Sequence, residues 1–400
     1  MPLNTDERSD VVVAGAGAAG MALAIALKRR CGSDISVEIC DPQAGQPARP
    51  DRRAYALNAR SREFLESLGV WALLQDQAQP VAKIIITDSG AGDAARPCLL
   101  QFGEAGQAGT LFHVVEAVAL GAALNRVALE LGLTVRAAGI ERFSADGSRQ
   151  AVHLSDGAAL RARLLVAADG AGSALRDEAG IAFFEGAYEQ SALSGIITHE
   201  RPHEGIAEQH FLPGGPFALL PLVDAGPGLH RSSFVWTISA KLAKRLAAKG
   251  PAAVSRAVIE TLGGRLGEAE VAGGAAVFPL QFGIAKRLTA ERFALAGDAA
   301  QVIHPLAGQG MNLAFGGVEA LAAIITGQLR LGLDPGAPEC LQRYENAARF
   351  DSAAMLLLTD AMNRLFSNDS RALRAVRDFG LGLVERSAVA KAFFERQAAG

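Results

Sequence analysis

The chain has 400 residues, half of them hydrophobic and 44 of them glycine, which is enough for two domains with a large core. Its formal net charge of -3 argues against a nucleic-acid partner. The polar N-terminus shows no signal peptide, and no uninterrupted apolar run approaches the ~20 residues of a membrane span, so we expect a cytoplasmic protein. The four cysteines, Cys31, Cys40, Cys98 and Cys340, form no close pair in the sequence. We therefore expect neither a disulfide framework nor a zinc site.

The first predicted strand, residues 11–14, runs directly into a glycine-rich turn and then a helix from Met21 to Lys28. In such a turn the glycines permit a tight bend, close approach of a pyrophosphate and packing of helix on strand. A second strand, residues 36–40, ends in Asp41, where a ribose-binding acid is expected. A glycine-rich turn followed by a solvated aspartate is the alternative. The candidate cofactor-binding residues here are Gly15, Gly17, Ala18, Ala19, Gly20 and Asp41.

The next part of the chain alternates between predicted helices and strands. Apolar spacing predicts a helix from Asn58 to a glycine cap at Gly69, and residues 112–116 are expected to begin a helix that continues to Glu130. Strands are predicted at residues 81–89, 96–102, 134–142 and 151–154, with a hairpin loop at residues 90–93. A third buried strand, residues 164–168, ends in Asp169-Gly170, which is either a ligand-binding loop or a plain turn.

Residues 185–277 change character, because short alternating segments are separated by proline and glycine. Segments at residues 194–198, 209–212 and 217–222 predict an antiparallel sheet inserted between pieces of the cofactor domain. Such a sheet would cover the cofactor and form an apolar substrate pocket at the domain interface.

The most informative stretch runs from Phe293 to Asn312. Residues 293–296 predict a buried strand, and Gly297-Asp298 places a carboxylate at its carboxyl end, where open α/β sheets bind ligands. The glycines that follow allow the backbone to lie close to a flat ligand before a helix at residues 313–325. The alternative is an ordinary strand, turn and helix.

These motifs resemble the class A flavoprotein aromatic hydroxylases. Gly-Asp-Ala-Ala at residues 297–300, followed by Pro-x-x-Gly-Gln-Gly-x-Asn, resembles their second flavin motif. By that resemblance Asp298 meets the ribityl chain of FAD, and Asp169-Gly170 supports the pyrophosphate region and transient NAD(P)H binding. The flavin ring would lie against the loop and helix start that contain Gly308, Gly310, Met311 and Asn312.

The motif Arg-Ala-x-Ala-Leu at residues 53–57 and the segment 214–222 resemble the ubiquinone-biosynthesis branch of these hydroxylases. This resemblance implies that Arg53 lies near the flavin. The chain departs from the family pattern at three places. Relatives carry Asn-Arg where this chain has Ala117-Val118, His where it has Gln301, and Arg-Asp where it has Gly316-Gly317.

The implied fold is α/β: an FAD-binding Rossmann-like domain of the glutathione-reductase type, an inserted antiparallel-sheet substrate domain, and C-terminal helices. The FAD-binding domain is expected at residues 8–80, 104–182 and 278–345, and the substrate domain at 81–103 and 183–277. Residues 346–400 are expected to be helical. Their basic end either docks on a membrane or a biosynthetic complex, or packs on the protein's own core.

The implied reaction is hydroxylation of the ring of a polyprenylated phenol in ubiquinone biosynthesis, with O2, FAD and a flavin C4a-hydroperoxide. NAD(P)H is the expected electron donor, without a stable nucleotide domain of its own. His304 and Pro305 are the candidate catalytic residues, with His304 either moving a proton to or from the phenol or bonded within its loop. No metal is expected. A soluble-phenol hydroxylase, an FAD-dependent lipid reductase, a halogenase and a non-catalytic scaffold stay open as alternatives.

Overall fold

The computed structural model describes residues 8–46, 51–88, 98–103, 109–212, 214–303 and 309–349. Most of the predicted C-terminal helical region therefore lies outside the described residues, as do the loop at 90–93, His304, Pro305 and Gly308. Residues 338–349 are helical. The described part of the chain forms two eight-stranded sheets and one three-stranded sheet.

The first sheet is the core of the predicted cofactor domain. Its main path is β17 (Thr289–Ala290), β18 (Phe293–Leu295), β11 (Ala159–Ala167), β1 (Arg8–Ala14), β2 (Val37–Cys40) and β8 (Val135–Arg136), with β10 (Arg149–Leu154) and β9 (Ile140–Asp146) added beside β11. Strands β18, β11, β1, β2 and β8 are parallel. Val11, Val12 and Val13 are fully buried on both faces of β1, as expected for a parallel strand covered by helices.

The helices of this part of the molecule include α1 (Ala18–Cys31), α2 (Ala59–Ser67), α3 (Trp71–Leu74), α4 (Ala117–Glu130) and α5 (Ala174–Glu178). Short 3-10 helices lie at Gly32–Asp34, Gln75–Gln77 and Gly297–Ala299. Helix α8 (Gly310–Arg330) packs on α1. By length and composition α8 is the one helix in the described ranges that could cross a membrane. Its apolar residues Phe315, Val318, Leu321 and Ile325 are fully buried in the core, which accounts for its composition.

The second sheet has the order β19 (Gln301–Val302), β16 (Ala269–Ala285), β12 (Phe183–His199), β15 (Leu229–Ser239), β14 (Gly215–Gly226), β13 (Ile206–Leu212), β5 (Lys83–Asp88) and β6 (Cys98–Gly103). Apolar side chains on one face pack against α6 (Ala240–Ala248) and α7 (Pro251–Leu262). The opposite face packs against the small sheet of β3 (Ala54–Leu57), β7 (Phe112–Glu116) and β4 (Gln79–Val81). We call these the helix face and the inner face.

Two details of the sequence interpretation differ from the structure. Residues 112–116 form the strand β7 and the helix begins only at Ala117, because β7 pairs with both β3 and β4 and an aromatic and β-branched run suits such pairing. Strands β12 and β16 have 17 residues each and are longer than the short segments predicted. The expected domain boundary at residue 277 consequently falls inside β16, whereas that at residue 183 coincides with the start of β12.

Candidate active site

Four neighbouring parallel strands of the first sheet end at one edge, and each is followed by a predicted ligand-binding motif. Strand β18 leads to Gly297-Asp298, β11 to Asp169-Gly170, β1 to the glycine turn at 15–20, and β2 to Asp41. Because the carboxyl ends of parallel strands meet at the same edge, these motifs lie side by side. Ligands of open α/β sheets bind at this edge.

The three glycines of the first turn have different roles. Gly15 has a φ of +103°, and a side chain there would collide with the carbonyl oxygen of Ala168. A side chain on Gly20 would collide with the carbonyl oxygen of Gly15. Gly17 has no atom within 4 Å of the position that a Cβ would occupy, so the turn is open at this point. The turn is therefore closed by its own backbone at two glycines and open at the third, as a phosphate site requires.

Two helices begin at this edge without a cap from their own N-cap side chain. Helix α1 starts at Ala18 behind Gly17, and α8 starts at Gly310 behind Gln309; among the described residues, neither N-cap residue accepts a side-chain hydrogen bond from the first turn. Helices α2 and α5, by contrast, are capped by Asn58 and Ser173. The uncapped amides of α1 and α8 can bind anionic or electron-rich groups of a ligand.

Asp41 holds the glycine turn in place. Its Oδ2 accepts a hydrogen bond from the backbone N–H of Ala16 at 2.8 Å, and its Oδ1 accepts one from Gln43 at 2.7 Å. The carboxylate therefore joins the end of β2 to the turn after β1. The predicted contact between Asp41 and a ribose stays a prediction.

The positive charge of Arg53 interacts with the side chains of both Asp298 and Tyr55. The side chain of Asp298 is exposed to solvent, and yet desolvation by the surrounding protein raises its pKa, an effect that the positive charge of Arg53 partly offsets. The Arg53 side chain forms three hydrogen bonds with Asp51, at 2.9, 3.2 and 2.7 Å, and its guanidinium lies 5.8 Å from the centre of the Tyr55 ring. The structure thus brings together Asp298 and Arg53, two of the predicted flavin-binding residues.

The side-chain amide of Asn312 forms all of its hydrogen bonds with other groups of the protein. Its Oδ1 accepts hydrogen bonds from Asn58 N–H (3.1 Å) and from the Ser61 hydroxyl (2.7 Å). Its Nδ2 donates to the carbonyl oxygen of Ala56 (2.9 Å) and to Gln309 (3.0 Å). An amide group has four hydrogen-bonding positions, and all four are occupied. Asn312 therefore fixes the start of α8 against β3 and α2, and only the backbone near it is open to a flavin.

The sequence analysis missed Arg176, which joins two of the motif loops. This buried side chain donates to the carbonyl oxygens of Ala171 (3.0 Å) and Ala299 (3.2 Å) and lies 3.8 Å from the centre of the Phe183 ring. It connects the loop after Asp169 to the loop that contains Asp298. Desolvation raises the pKa of Asp169 itself, and hydrogen bonds with Ser173 and the Leu175 backbone partly offset that rise.

Two further interactions hold the second sheet over the site. Arg52 donates to the carbonyl oxygens of Ala272 (2.9 Å) and Gly274 (2.8 Å) on β16. Glu116, at the start of α4, forms an ion pair of 2.8 Å with Arg231 on β15. Charged residues beside the predicted flavin motifs thus contact the second sheet directly, which no local sequence pattern indicates.

Nothing in the described structure explains the departure at Gly316-Gly317. A Cβ on Gly317 would lie 3.8 Å from the hydroxyl of Tyr344, and one on Gly316 would lie 3.9 Å from the guanidinium of Arg60. The Tyr344 hydroxyl donates to the carbonyl oxygen of Leu295 at 2.7 Å, so the tyrosine anchors the end of β18. A Cβ on either glycine would make only ordinary van der Waals contacts.

Comparisons with known proteins agree with this geometry. A family profile described as an FAD binding domain matches residues 8–356. The chain is 38% identical to the ubiquinone hydroxylase UbiL of Rhodospirillum rubrum, covering 99% of this chain and 91% of that protein. It is 31% identical to the 3-demethoxyubiquinol 3-hydroxylase of Escherichia coli, covering 97% of each chain. The crystal structure of p-nitrophenol 4-monooxygenase PnpA from Pseudomonas putida DLL-E4 shares the fold, with a TM-score of 0.78, 18% identity and coverage of 98% and 99%.

Proposed function

The chain belongs to the FAD binding domain family of flavin-dependent monooxygenases, and we propose that it hydroxylates the ring of a polyprenylated phenol in ubiquinone biosynthesis. FAD is the cofactor of this family. The observation that carries the proposal is the convergence of four motif loops at the carboxyl ends of the parallel strands of the first sheet. The second sheet, which is antiparallel except between β13 and β5, is held above them by Arg52 and Arg231. Relatives that match almost the whole chain carry names that give the substrate class.

The residues at the sheet edge fit FAD. The open position at Gly17 and the uncapped start of α1 suit a pyrophosphate, and Asp298 offers a carboxylate to ribityl hydroxyls. Arg53 places a positive charge beside that carboxylate, and the start of α8 presents amides to an electron-rich edge of the flavin ring. When bound, FAD supplies the oxygen activation that no protein side chain can provide. The protein binds and orients the ring of the substrate and, with the second sheet, excludes water.

His304 and Pro305, which precede α8 in the sequence and lie outside the described residues, complete the proposal as catalytic residues. The remaining contacts proposed for the cofactor involve Ala18, Ala19 and Gly20 at the start of α1, Asp169 beside the pyrophosphate, and Gly308, Gly310 and Met311 at the flavin ring. We further propose that NAD(P)H donates the electrons through transient contact near the flavin.

Removal of the Asp298 carboxylate should weaken FAD binding. A hydrogen bond to a charged group contributes about 1.5–3 kcal/mol, so Asp298→Ala is expected to raise the FAD dissociation constant roughly 10- to 100-fold. Fluorescence titration of the apoprotein with FAD measures this constant. Asp146→Ala is the control, because that aspartate pairs with Arg161 on a surface hairpin and should leave FAD affinity unchanged. Equal FAD affinity in wild type and Asp298→Ala would show that Asp298 does not contribute to FAD binding.

The prenyl tail distinguishes the proposed substrate from a small soluble phenol. Each CH2 group removed from water contributes about 0.8 kcal/mol, so a tail seated in an apolar pocket should add strongly to affinity. We expect a geranyl-substituted phenol to be hydroxylated with tighter coupling of NAD(P)H oxidation to product than the same phenol without its tail. Equal coupling for both compounds would favour a soluble aromatic hydroxylase. A lipid substrate also implies that the enzyme acts at the membrane surface or receives the lipid from a partner, and we propose the region after residue 345 for this contact.

A further inference from the structure

Alternate residues of the second sheet lie on its inner face, towards the cofactor domain. Ala207, Leu220, Leu222 and Ile196 mark this face, because they pack with Ala56, Val81 and Val114 of the small sheet. Strand pairing places further side chains beside them. Ser233 lies opposite Leu220 on one side and Ile196 on the other, and Ser194 lies opposite Val235.

One row of the inner face is open. Cross-strand pairing aligns Ile86, Gln209, Ala218, Val235, Ser194 and Ala276 across six neighbouring strands. All of these except Ser194 are partly accessible to solvent, although the four strands that carry the middle of the row lie well inside an eight-stranded sheet. Partial exposure in the middle of a sheet means that the described part of the chain does not fully cover these side chains.

Ser194 and Ser233 are buried on this face without a hydrogen-bond partner. Their exposed fractions are 4% and 0%, and neither hydroxyl oxygen has a partner among the described residues. Native proteins seldom keep a buried polar group unpaired, since its lost hydration is not compensated. Gln209 has an unpaired Nε2 in the same row, but it stands three strand spacings, about 14 Å, from Ser194.

The two serines are close enough for both hydroxyls to contact one aromatic ring of a ligand. They lie on adjacent strands at diagonal positions, for which the separation is roughly 7–8 Å between residues. Rotation about χ1 redirects either hydroxyl. Val235 and Ile196 supply apolar surface beside them, which suits the flat faces of an aromatic ring.

We propose that Ser194 and Ser233 bind two oxygen substituents on the ring of the substrate and thereby determine which oxygenated phenol the enzyme accepts. This inference rests on the proposed function and adds to it the residues that recognise the ring. It makes a ring with two oxygen substituents a better ligand than a hydrocarbon ring with the same tail. Both serines act here as specificity-determining residues, with no part in proton transfer.

The matched control is the neighbouring residue Ser232. It is also fully buried, but it lies on the helix face and its hydroxyl bonds with His199 Nε2 at 2.9 Å. The comparison of Ser233→Ala with Ser232→Ala therefore changes the same chemical group at adjacent positions on opposite faces.

The test uses the FAD-loaded enzyme and two probes, 2-geranyl-6-methoxyphenol and geranylbenzene. Dissociation constants from calorimetry and melting temperatures are measured for wild type, Ser194→Ala, Ser233→Ala and Ser232→Ala. We expect Ser194→Ala and Ser233→Ala to bind the methoxyphenol at least 10-fold more weakly, to bind geranylbenzene as wild type does, and to keep or raise the melting temperature. Ser232→Ala should lower the melting temperature and leave the ratio of the two affinities unchanged.

Other outcomes separate this inference from the function on which it rests. If wild type binds and hydroxylates the methoxyphenol but both inner-face variants bind it equally well, the assignment of the serines is wrong and the function stands. A lower melting temperature for Ser194→Ala and Ser233→Ala, with an unchanged affinity ratio, would show that the hydroxyls are structural and would also overturn it. Failure of wild type to bind either probe would overturn both the inference and the proposed function.

Discussion

The two faces of the second sheet differ in whether their buried polar groups have hydrogen-bond partners. On the helix face, His210 Nδ1 lies 2.7 Å from the Thr87 hydroxyl, and its Nε2 lies 3.0 Å from the carboxylate of Glu208, which also pairs with Arg265. On the inner face, Ser194 and Ser233 are equally buried and have no such partners. Side chains that alternate along the same strands therefore differ in whether the protein itself completes their hydrogen bonds.

Pairing within the protein can therefore distinguish buried polar residues with a structural role from those that bind a ligand. A buried group that the protein has already paired contributes to stability, and its removal leaves another buried group unpaired. A buried group that lacks a partner lowers stability in the free protein and gains its partner from a ligand. If the helix face is closed and structural while the inner face is open, matched substitutions on the two faces should differ in their effect on stability.

Leucines 219 and 220 are adjacent on β14 and lie on opposite faces. Leu219 is 2% exposed and packs in the cluster beneath α6 and α7, whereas Leu220 is partly accessible on the inner face. Leu219→Ala should lower the free energy of unfolding by about 3–4 kcal/mol, because it leaves a cavity in a closed core. Leu220→Ala should cost about 1–2 kcal/mol, because part of the side chain is already exposed. Urea denaturation measures both, and equal losses would contradict an open inner face.

Glu208 is the centre of the paired network on the helix face. Glu208→Ala removes the partner of the buried His210 and of the half-exposed Arg265, so we expect unfolding to become easier by about 2–3 kcal/mol. The control is Glu130→Ala, which removes a surface ion pair with Arg126 and should change stability by less than about 0.5 kcal/mol. A Glu208→Ala protein as stable as the control would mean that the network is dispensable.

His199 should give a small pH dependence to stability. Desolvation lowers its pKa, and Nδ1 carries the proton of the neutral ring, since the Arg201 carbonyl 2.8 Å away can only accept. The folded state thus binds this proton less readily than the unfolded chain, whose histidines titrate near pH 6.5. The contribution is present above about pH 6.5 and is lost as pH falls through the lowered pKa.

The measurement is the free energy of unfolding between pH 8 and pH 5. We expect the decrease with acidification to be smaller in His199→Gln than in wild type, because the variant lacks the titrating group. An identical pH dependence in His199→Gln and wild type would show that this histidine is not held neutral by the fold.

Family membership, the class of fold and the use of FAD could be predicted from local motifs. The glycine turn, Asp169-Gly170 and Gly297-Asp298 each end a buried apolar strand, and the structure places all three on neighbouring strands. The prediction of secondary structure was wrong where pairing with strands remote in sequence determines the conformation. Residues 112–116 are a strand because β3 and β4 lie on either side of them, although those strands are remote in sequence.

Local sequence patterns predict the order of the elements and the loops that meet at the sheet edge, because glycine geometry and apolar strands are properties of neighbouring residues. The roles of individual polar side chains became visible in the folded molecule alone. It occupies all four hydrogen-bonding positions of Asn312 and places Arg176 between two loops. It also pairs Ser232 and leaves Ser233 unpaired. The physical reason is that hydrogen bonding and desolvation depend on groups brought together from distant parts of the chain, which no local pattern encodes.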